Sequence, residues 1–300
     1  VADPTFKIGD SEATRSAGGK MLNVMAQRYG NLVGGSADLA GPNKTALKNC
    51  DGTYTPENRK GRTIEFGIRE FAMSAVCAGM RRHGGLRPFA ATCLVFSDYL
   101  RPSLRVVSLM KQPVMYVFTH DSIYVGEDGP THQPIETLTA LRAIPGVQVI
   151  RPGDAEETVE AWKMAYESKD HPVCLSLTRQ NLPVYEKEDP DWKNTMRTGA
   201  YIVKTGAEHP DVTILASGSE VSMALEAAKI ASSKTVRVVS VPDVKLFSQQ
   251  NKVIREEIIG GASRVIATEA GISMEWKQFV KDDDDLFCID LFGESGPAVK

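Results

Sequence analysis

Five groups able to exchange protons or bind hydroxyls, His120, Asp121, Glu127, Asp128 and His132, fall within thirteen consecutive residues. Two of the 5 histidines of the chain are among them, and imidazole is the side chain whose unperturbed proton affinity lies closest to neutral pH. A neutral imidazole donates and accepts at once, which suits neighbouring hydroxyls and proton movement. Gly126, Gly129 and Pro130 bend the backbone between these groups. The apolar run 113–118 reads as a buried strand, so the cluster belongs at the carboxyl end of a strand, where open α/β sheets bind ligands. A solvated acidic loop is the plainer alternative, but it gives no reason for two histidines to follow a core strand so closely.

Other residues carry chemistry only in combination. Glu70 opens an apolar helix, at the positive end of its dipole, where a carboxylate is favoured for stability alone. Phe96 and Tyr99, three apart, are neighbours on one helical face and suit either core packing or the wall of a ring-binding pocket. Arg15 and Arg179 each read alone as surface arginines. Together they offer the forked donors that grip a phosphate better than lysine does.

Bringing these residues together requires strands that end near one another. Asp10 or Ser11 can cap a first helix whose Ala13, Ala17, Met21, Val24 and Met25 share one side. Strands are expected at 32–35, 64–67, 88–92, 113–118, 147–150 and 173–177, with helices at 69–82, 99–110 and 154–168. The 69–82 helix is apolar nearly all round (Phe71, Met73, Val76, Cys77, Met80) and is expected to be buried between other elements. Strand and helix alternating in this way predict a mostly parallel sheet covered on both faces. Residues 185–197 are polar and read as a linker poor in structure. Beyond them, strands at 212–216, 236–241, 264–268 and 286–291, with a Ser217-x-x-Glu220 capping box, predict a second, smaller unit. The fold class is therefore α/β, with two domains, each a mostly parallel sheet with helices on both faces. The acidic run 281–285 lacks the ligand spacing of a calcium loop and reads as a solvated turn.

A net charge of −3 and the lack of any Lys/Arg-rich run give no basic field for nucleic acid. The longest apolar stretches are strand-sized, which argues against a membrane-spanning helix. Five cysteines without metal-ligand spacing point to a reducing, cytoplasmic setting and to no metal site. The chain opens at Val1 without a signal or transit pattern, which leaves targeting open.

The pieces Thr119-His120-Asp121-Ser122-Ile123 and Gly126-Glu127-Asp128-Gly129-Pro130-Thr131-His132-Gln133-Pro134-Ile135-Glu136 closely resemble the transketolase family of thiamine diphosphate enzymes. So do Gly-Gly-Ser-Ala-Asp-Leu from Gly34, Gly-Ile-Arg-Glu-Phe-Ala-Met from Gly67, Leu177-Thr178-Arg179-Gln180-Asn181-Leu182-Pro183 and Phe292-Gly293-Glu294-Ser295. They occur in the family's order and cover nearly the whole chain. The resemblance implies a pyrimidine-binding domain over 1–184, a linker over 185–197 and a C-terminal domain over 198–300, expected to be truncated at its end.

The resemblance also assigns roles. Glu70 would hydrogen-bond the pyrimidine of thiamine diphosphate and promote its activation, with Phe96 and Tyr99 gripping that ring and Asp38 near the bridge between the cofactor's two rings. His132 would bind ketose hydroxyls near the reacting carbon, and Asp128 would select the adjacent hydroxyl. His120, Arg15 and Arg179 would lie toward the substrate phosphate. Three positions depart from the family pattern: Cys93 replaces an aromatic residue, Pro42 a phosphate-binding hydroxyl, and Tyr124 a glycine. No Gly-Asp-Gly followed some 30 residues later by Asn is present, so Mg2+ or Ca2+ and the diphosphate are expected in a pyrophosphate-binding domain, in cis or as a separate chain. The implied activity is transfer of a two-carbon ketol unit from a ketose phosphate to an aldose phosphate in the pentose phosphate pathway, by a homodimer with sites between chains. The chain alone is expected to be inactive. Dihydroxyacetone synthase, 1-deoxyxylulose-phosphate synthase, the β chain of a 2-oxoacid dehydrogenase and a non-catalytic assembly module remain as alternatives.

Overall fold

The computed structural model describes residues 1–297. In chain order the first half contains β1 (Ser11–Ala13), α1 (Thr14–Arg28), β2 (Leu32–Ser36), α2 (Ala40–Asn43), α3 (Glu70–His83) and β3 (Arg87–Cys93). It continues with α4 (Ser97–Leu109), β4 (Met115–Thr119), α5 (Thr137–Arg142), β5 (Gln148–Ile150), α6 (Ala155–Glu167), β6 (Val173–Leu177) and β7 (Asn181–Pro183). The second half holds α7 (Trp192–Thr195), β8 (Tyr201–Lys204), β9 (Val212–Ala216), α8 (Glu220–Ile230) and β10 (Val236–Ser240), then α9 (Val244–Ser248), α10 (Lys252–Ile259), β11 (Arg264–Glu269) and β12 (Leu286–Cys288).

Strands β3, β4 and β6 are buried at every residue, as near-continuous apolar runs require in a sheet covered on both faces. They form the centre of a five-stranded parallel sheet in the order β2-β3-β4-β6-β5. On one face, α1 and α6 bury Met21, Leu22, Met25 and Trp162 in a core that runs on to Tyr201, Ile214 and Val238 of the second half. On the other face, α3, α4 and α5 pack Met73, Cys77, Leu100, Leu104 and Leu141 around Tyr116 and Phe118. The second sheet has the order β12-β11-β9-β10-β8, parallel except for the edge strand β8.

Several sequence expectations need correction. Asp10 and Ser11 do not cap α1: Ser11–Ala13 pairs with β7, and Ala13 precedes the helix without a side-chain cap. Residues 64–67 are no strand. Gly34 bonds to both Arg62 and Ile64 instead, and a Cβ on Gly35 would stand 1.8 Å from the Ile64 carbonyl oxygen, so close approach dictates that glycine. The 185–197 segment is structured, with α7 and with Tyr185, Trp192 and Met196 buried. The Ser217–Glu220 capping box does not form, because Arg151 engages Glu220. Finally, α3 is covered on one face only: Phe71 and Val76, with Ile68 beside them and Tyr99, Val106 and Leu109 of α4, are exposed. Among the described residues no helix is long and apolar enough to cross a membrane.

Candidate active site

The carboxyl ends of β2, β3 and β4 lie side by side, with Ser36 in register with Ala91 and Cys93 with Thr119. The chain leaves β2 through Asp38 (φ 61°) and β4 through His120 (φ 60°). A left-handed conformation at a residue other than glycine costs on the order of 1–3 kcal/mol and persists where surrounding structure enforces it, often at functional sites.

A cleft of about 700 Å³ opens there, lined by Asp38, Leu39, Glu70, Phe71, Phe96 and Tyr99. Glu70 is the first residue of α3 and only 7% exposed, and its carboxylate accepts no hydrogen bond among the described residues. Its oxygens face the cleft without a protein partner and are free to accept from a ligand there. The Phe96 and Tyr99 rings are 6.1 Å apart, and His132 meets the Phe96 ring edge-on at 5.3 Å. Aromatic faces beside an unpartnered carboxylate fit a flat heterocycle bearing an N–H donor, as the pyrimidine of thiamine diphosphate does.

A cluster of polar side chains surrounds His120 beyond β4. Arg15 Nη1 donates to the Pro42 carbonyl at 2.8 Å and lies 3.4 Å from His120 Nε2. The position that departs from the family pattern thus supplies a backbone acceptor that orients Arg15. His120 is 8% exposed, and burial, then Arg15 and Arg179, push its proton affinity down to about 4 while Asp128 opposes them. Burial and Arg179 likewise lower that of Arg15. Thus Arg15, Asp128, His132 and Arg179 are brought within electrostatic reach of His120, whereas Glu70, Phe96, Tyr99 and Asp38 line the neighbouring cleft. Cys93 is buried and sits 3.5 Å from His120 Nδ1, and Tyr124 is half-buried in the loop. Two motifs far apart in sequence also meet: Ser295 Oγ donates to the Glu127 carbonyl at 2.6 Å, and the Gly293 amide to Gln133 Oε1 at 3.0 Å.

Sequence reasoning missed the supports. Asp121 is fully buried and accepts from Arg151 Nε at 2.8 Å, while Arg151 also donates to the Ser217 carbonyl and Ser219 Oγ of the second half. Arg142 makes a two-pronged pair with Glu269, 2.8 Å on each prong, and also engages Glu275. The signal was present only as arginines in otherwise apolar surroundings. No group of three metal-ligating side chains occurs among the described residues.

The His120 environment has a testable consequence. Its folded-state value of about 4 lies below the ordinary 6.5, so the unfolded chain takes up this proton first. The stability contribution is present above pH ~6.5 and is lost as pH falls through about 4. Denaturant unfolding at pH 7 and pH 5 should show a larger acid loss for the wild type than for His120→Gln. Equal losses would contradict the buried neutral imidazole.

A parallel sheet with a lined cleft at the carboxyl ends of its strands defines an α/β protein built to bind ligand there. The transketolase pyrimidine-binding domain family matches residues 10–184, and the transketolase-like C-terminal domain family matches residues 199–300. The chain belongs to the transketolase family. It is 52% identical to a transketolase of Treponema pallidum over 301 aligned positions, covering 100% of this chain and 45% of that protein. The transketolase of Pichia stipitis in complex with sedoheptulose-7-phosphate superposes with a TM-score of 0.91 at 34% identity, covering 99% of this chain and 44% of that one. A split-gene transketolase described as an inactive β4 tetramer superposes at 0.72 with 28% identity, covering 95% of this chain and 92% of its own. The chain therefore spans less than half the length of the curated relatives it matches.

Proposed function

We propose that this chain supplies the pyrimidine-binding half of a thiamine diphosphate site in a transketolase that moves a two-carbon ketol unit from a ketose phosphate to an aldose phosphate in the pentose phosphate pathway. The observation that carries the reading is Glu70, buried without a protein partner beside aromatic rings. Thiamine diphosphate, when bound, supplies the carbon nucleophile that such a transfer needs. Glu70 holds and shares a proton with the pyrimidine, and low local polarity strengthens that contact. Phe96 and Tyr99 would pack against the ring, and Asp38 lines the same cleft.

His132 and Asp128 orient sugar hydroxyls, while Arg15, Arg179 and His120 form the phosphate end. Residues 1–184 form the pyrimidine domain, 185–197 the connection and 198–300 the C-terminal domain. A pyrophosphate-binding domain, in cis or as a separate chain, completes the site and holds the diphosphate with Mg2+ or Ca2+. The split-gene relative, whose chain is matched nearly end to end, supports the separate-chain arrangement. A homodimer is the natural assembly, since the open face of Phe71, Val76, Tyr99 and Val106 needs cover. Neither nucleic acid nor membrane is a partner, and the unpaired thiols support a cytoplasmic setting.

The test uses the assembled enzyme with xylulose 5-phosphate and ribose 5-phosphate. Arg179→Ala should raise KM for phosphorylated sugars roughly tenfold to a hundredfold, the equivalent of ~1.5–3 kcal/mol for one charged hydrogen-bonding partner, and should change KM little for unphosphorylated ones. Equal effects on both would remove Arg179 from the phosphate end, and no transfer by the wild-type assembly would overturn the function.

A further inference from the structure

The geometry points to Gln133 as a positioning residue through which the second half of the chain holds the loop that carries Asp128 and His132. Gln133 follows His132 directly and is 4% exposed. Its amide meets the far end of the chain twice. Oε1 accepts from the Gly293 amide at 3.0 Å, and Nε2 donates to the Glu294 carbonyl at 3.3 Å. Either bond alone would let the amide turn, whereas an acceptor and a donor used together fix its plane. The side chain has no other hydrogen-bond partner among the described residues. A Cβ on Gly293 would stand 2.8 Å from Gln133 Oε1, so the approach is this close because a glycine is there.

Two further contacts stitch the same loop to the second half. Ser295 Oγ donates to the Glu127 carbonyl at 2.6 Å, one residue before Asp128, and the Ile272 amide donates to the Ile135 carbonyl at 3.1 Å. Gly129 is buried beneath the first of them, and a Cβ there would meet Ser295 Cβ at 3.0 Å. The attachments at Glu127, Gln133 and Ile135 therefore bracket both Asp128 and His132. Within the loop the holding bonds are turn contacts: the Gly129 and His132 amides donate to the Gly126 and Gly129 carbonyls, and Thr131 Oγ1 lies 2.8 Å from His132 Nδ1. Such contacts give the loop its shape. Its place against the strand ends comes from the second half.

The consequence falls on the two residues between the attachments. A loop released from one anchor opens locally without unfolding the sheet behind it. Asp128 and His132 would then have to be ordered when ligand binds, and that ordering subtracts from affinity. Gln133 acts through the loop and touches no ligand itself. That the ligand is a sugar rests on the function proposed above. The anchoring of the loop does not.

Backbone amide hydrogen exchange, followed by NMR on the full chain free of cofactor and sugar, reads the anchoring directly. The Gly129 and His132 amides are the reporters, because neither bonds to Gln133 or to residues 293–295. Gln133→Met keeps the length of the side chain and removes both of its bonds. Exchange at the two reporters should rise roughly tenfold, as loss of one to two ordinary hydrogen bonds implies, while the amides of β3 and β4 stay as they are. Ser295→Ala, at an exposed position, should raise the same two rates by a smaller factor. In the assembled enzyme, Gln133→Met should raise KM for xylulose 5-phosphate roughly tenfold and leave the thiamine diphosphate needed for half-activation nearly unchanged. A merely structural glutamine would speed exchange in the strands as much as in the loop and would not separate the two constants. Unchanged reporters in folded Gln133→Met, or a rise matched in β4, overturn the inference. If that variant does not fold, Ser295→Ala decides, and unchanged reporters there overturn it. No transfer by the wild-type assembly would end the transketolase reading and leave the exchange result standing.

Discussion

Replacing Glu70 by glutamine in the assembled enzyme should lower turnover on the order of a hundredfold or more, within the range for loss of an acid–base group. Glutamine keeps the size and hydrogen-bonding reach of the side chain but can neither hold nor share the proton. The carboxylate contributes to the α3 dipole interaction only about 0.3–1 kcal/mol, and it accepts no other hydrogen bond among the described residues, so the fold should survive. The substitution therefore separates chemistry from stability. Turnover and circular dichroism measured together decide it: unchanged turnover, or turnover lost only in proportion to lost structure, would place Glu70 outside the chemistry.

A large effect of a different kind is expected from Arg142→Met. The arginine side chain is 2% exposed and that of Glu269 1%. Although burial pushes Glu269 up, Arg142 and Arg151 hold it below the usual carboxylate range. Removing Arg142 leaves Glu269 and Glu275 with Arg151, 3.8 Å from Glu269, as the remaining nearby cation. Breaking one side of a buried pair costs about 3–5 kcal/mol, a large share of the ~5–15 kcal/mol that holds a typical domain together. By contrast, Lys229→Ala, which removes the exposed pair with Glu226 on α8, should cost under about 1 kcal/mol. Denaturant unfolding of both variants provides the comparison, and similar small losses would mean the buried cluster contributes little net stability.

The residues proposed to touch a ligand were more legible in the sequence than those that hold them in place. The loop after β4 carries a dense set of proton-exchanging residues and strand periodicity placed it at a strand end, whereas Ser36-Ala37-Asp38 was legible only through its resemblance to the family. Core strands were legible because burial on both faces leaves few polar residues, and β6 (Val173–Leu177) has the bounds expected of it. The Arg142–Glu269 and Arg151–Asp121 pairs were not, because partners 127 and 30 residues apart are joined only by tertiary packing. That same packing redirected Glu220 from a local cap to Arg151, an override of a local signal by a buried charge. The burial expected for α3 failed on one side because hydrophobic periodicity reports which faces want cover, not which chain provides it. Backbone strain at Asp38 and His120 leaves no mark in composition, since both residues tolerate ordinary conformations elsewhere.

The central claim is that this chain carries one half of a shared cofactor site. Ketol transfer from xylulose 5-phosphate to ribose 5-phosphate, measured with thiamine diphosphate and magnesium for the chain alone and after adding a separately produced transketolase pyrophosphate-binding domain, tests it most directly. The account predicts no transfer by the chain alone and transfer on mixing, abolished when the chain carries Glu70→Ala. Robust turnover by the isolated chain, or turnover on mixing that survives Glu70→Ala, would contradict it.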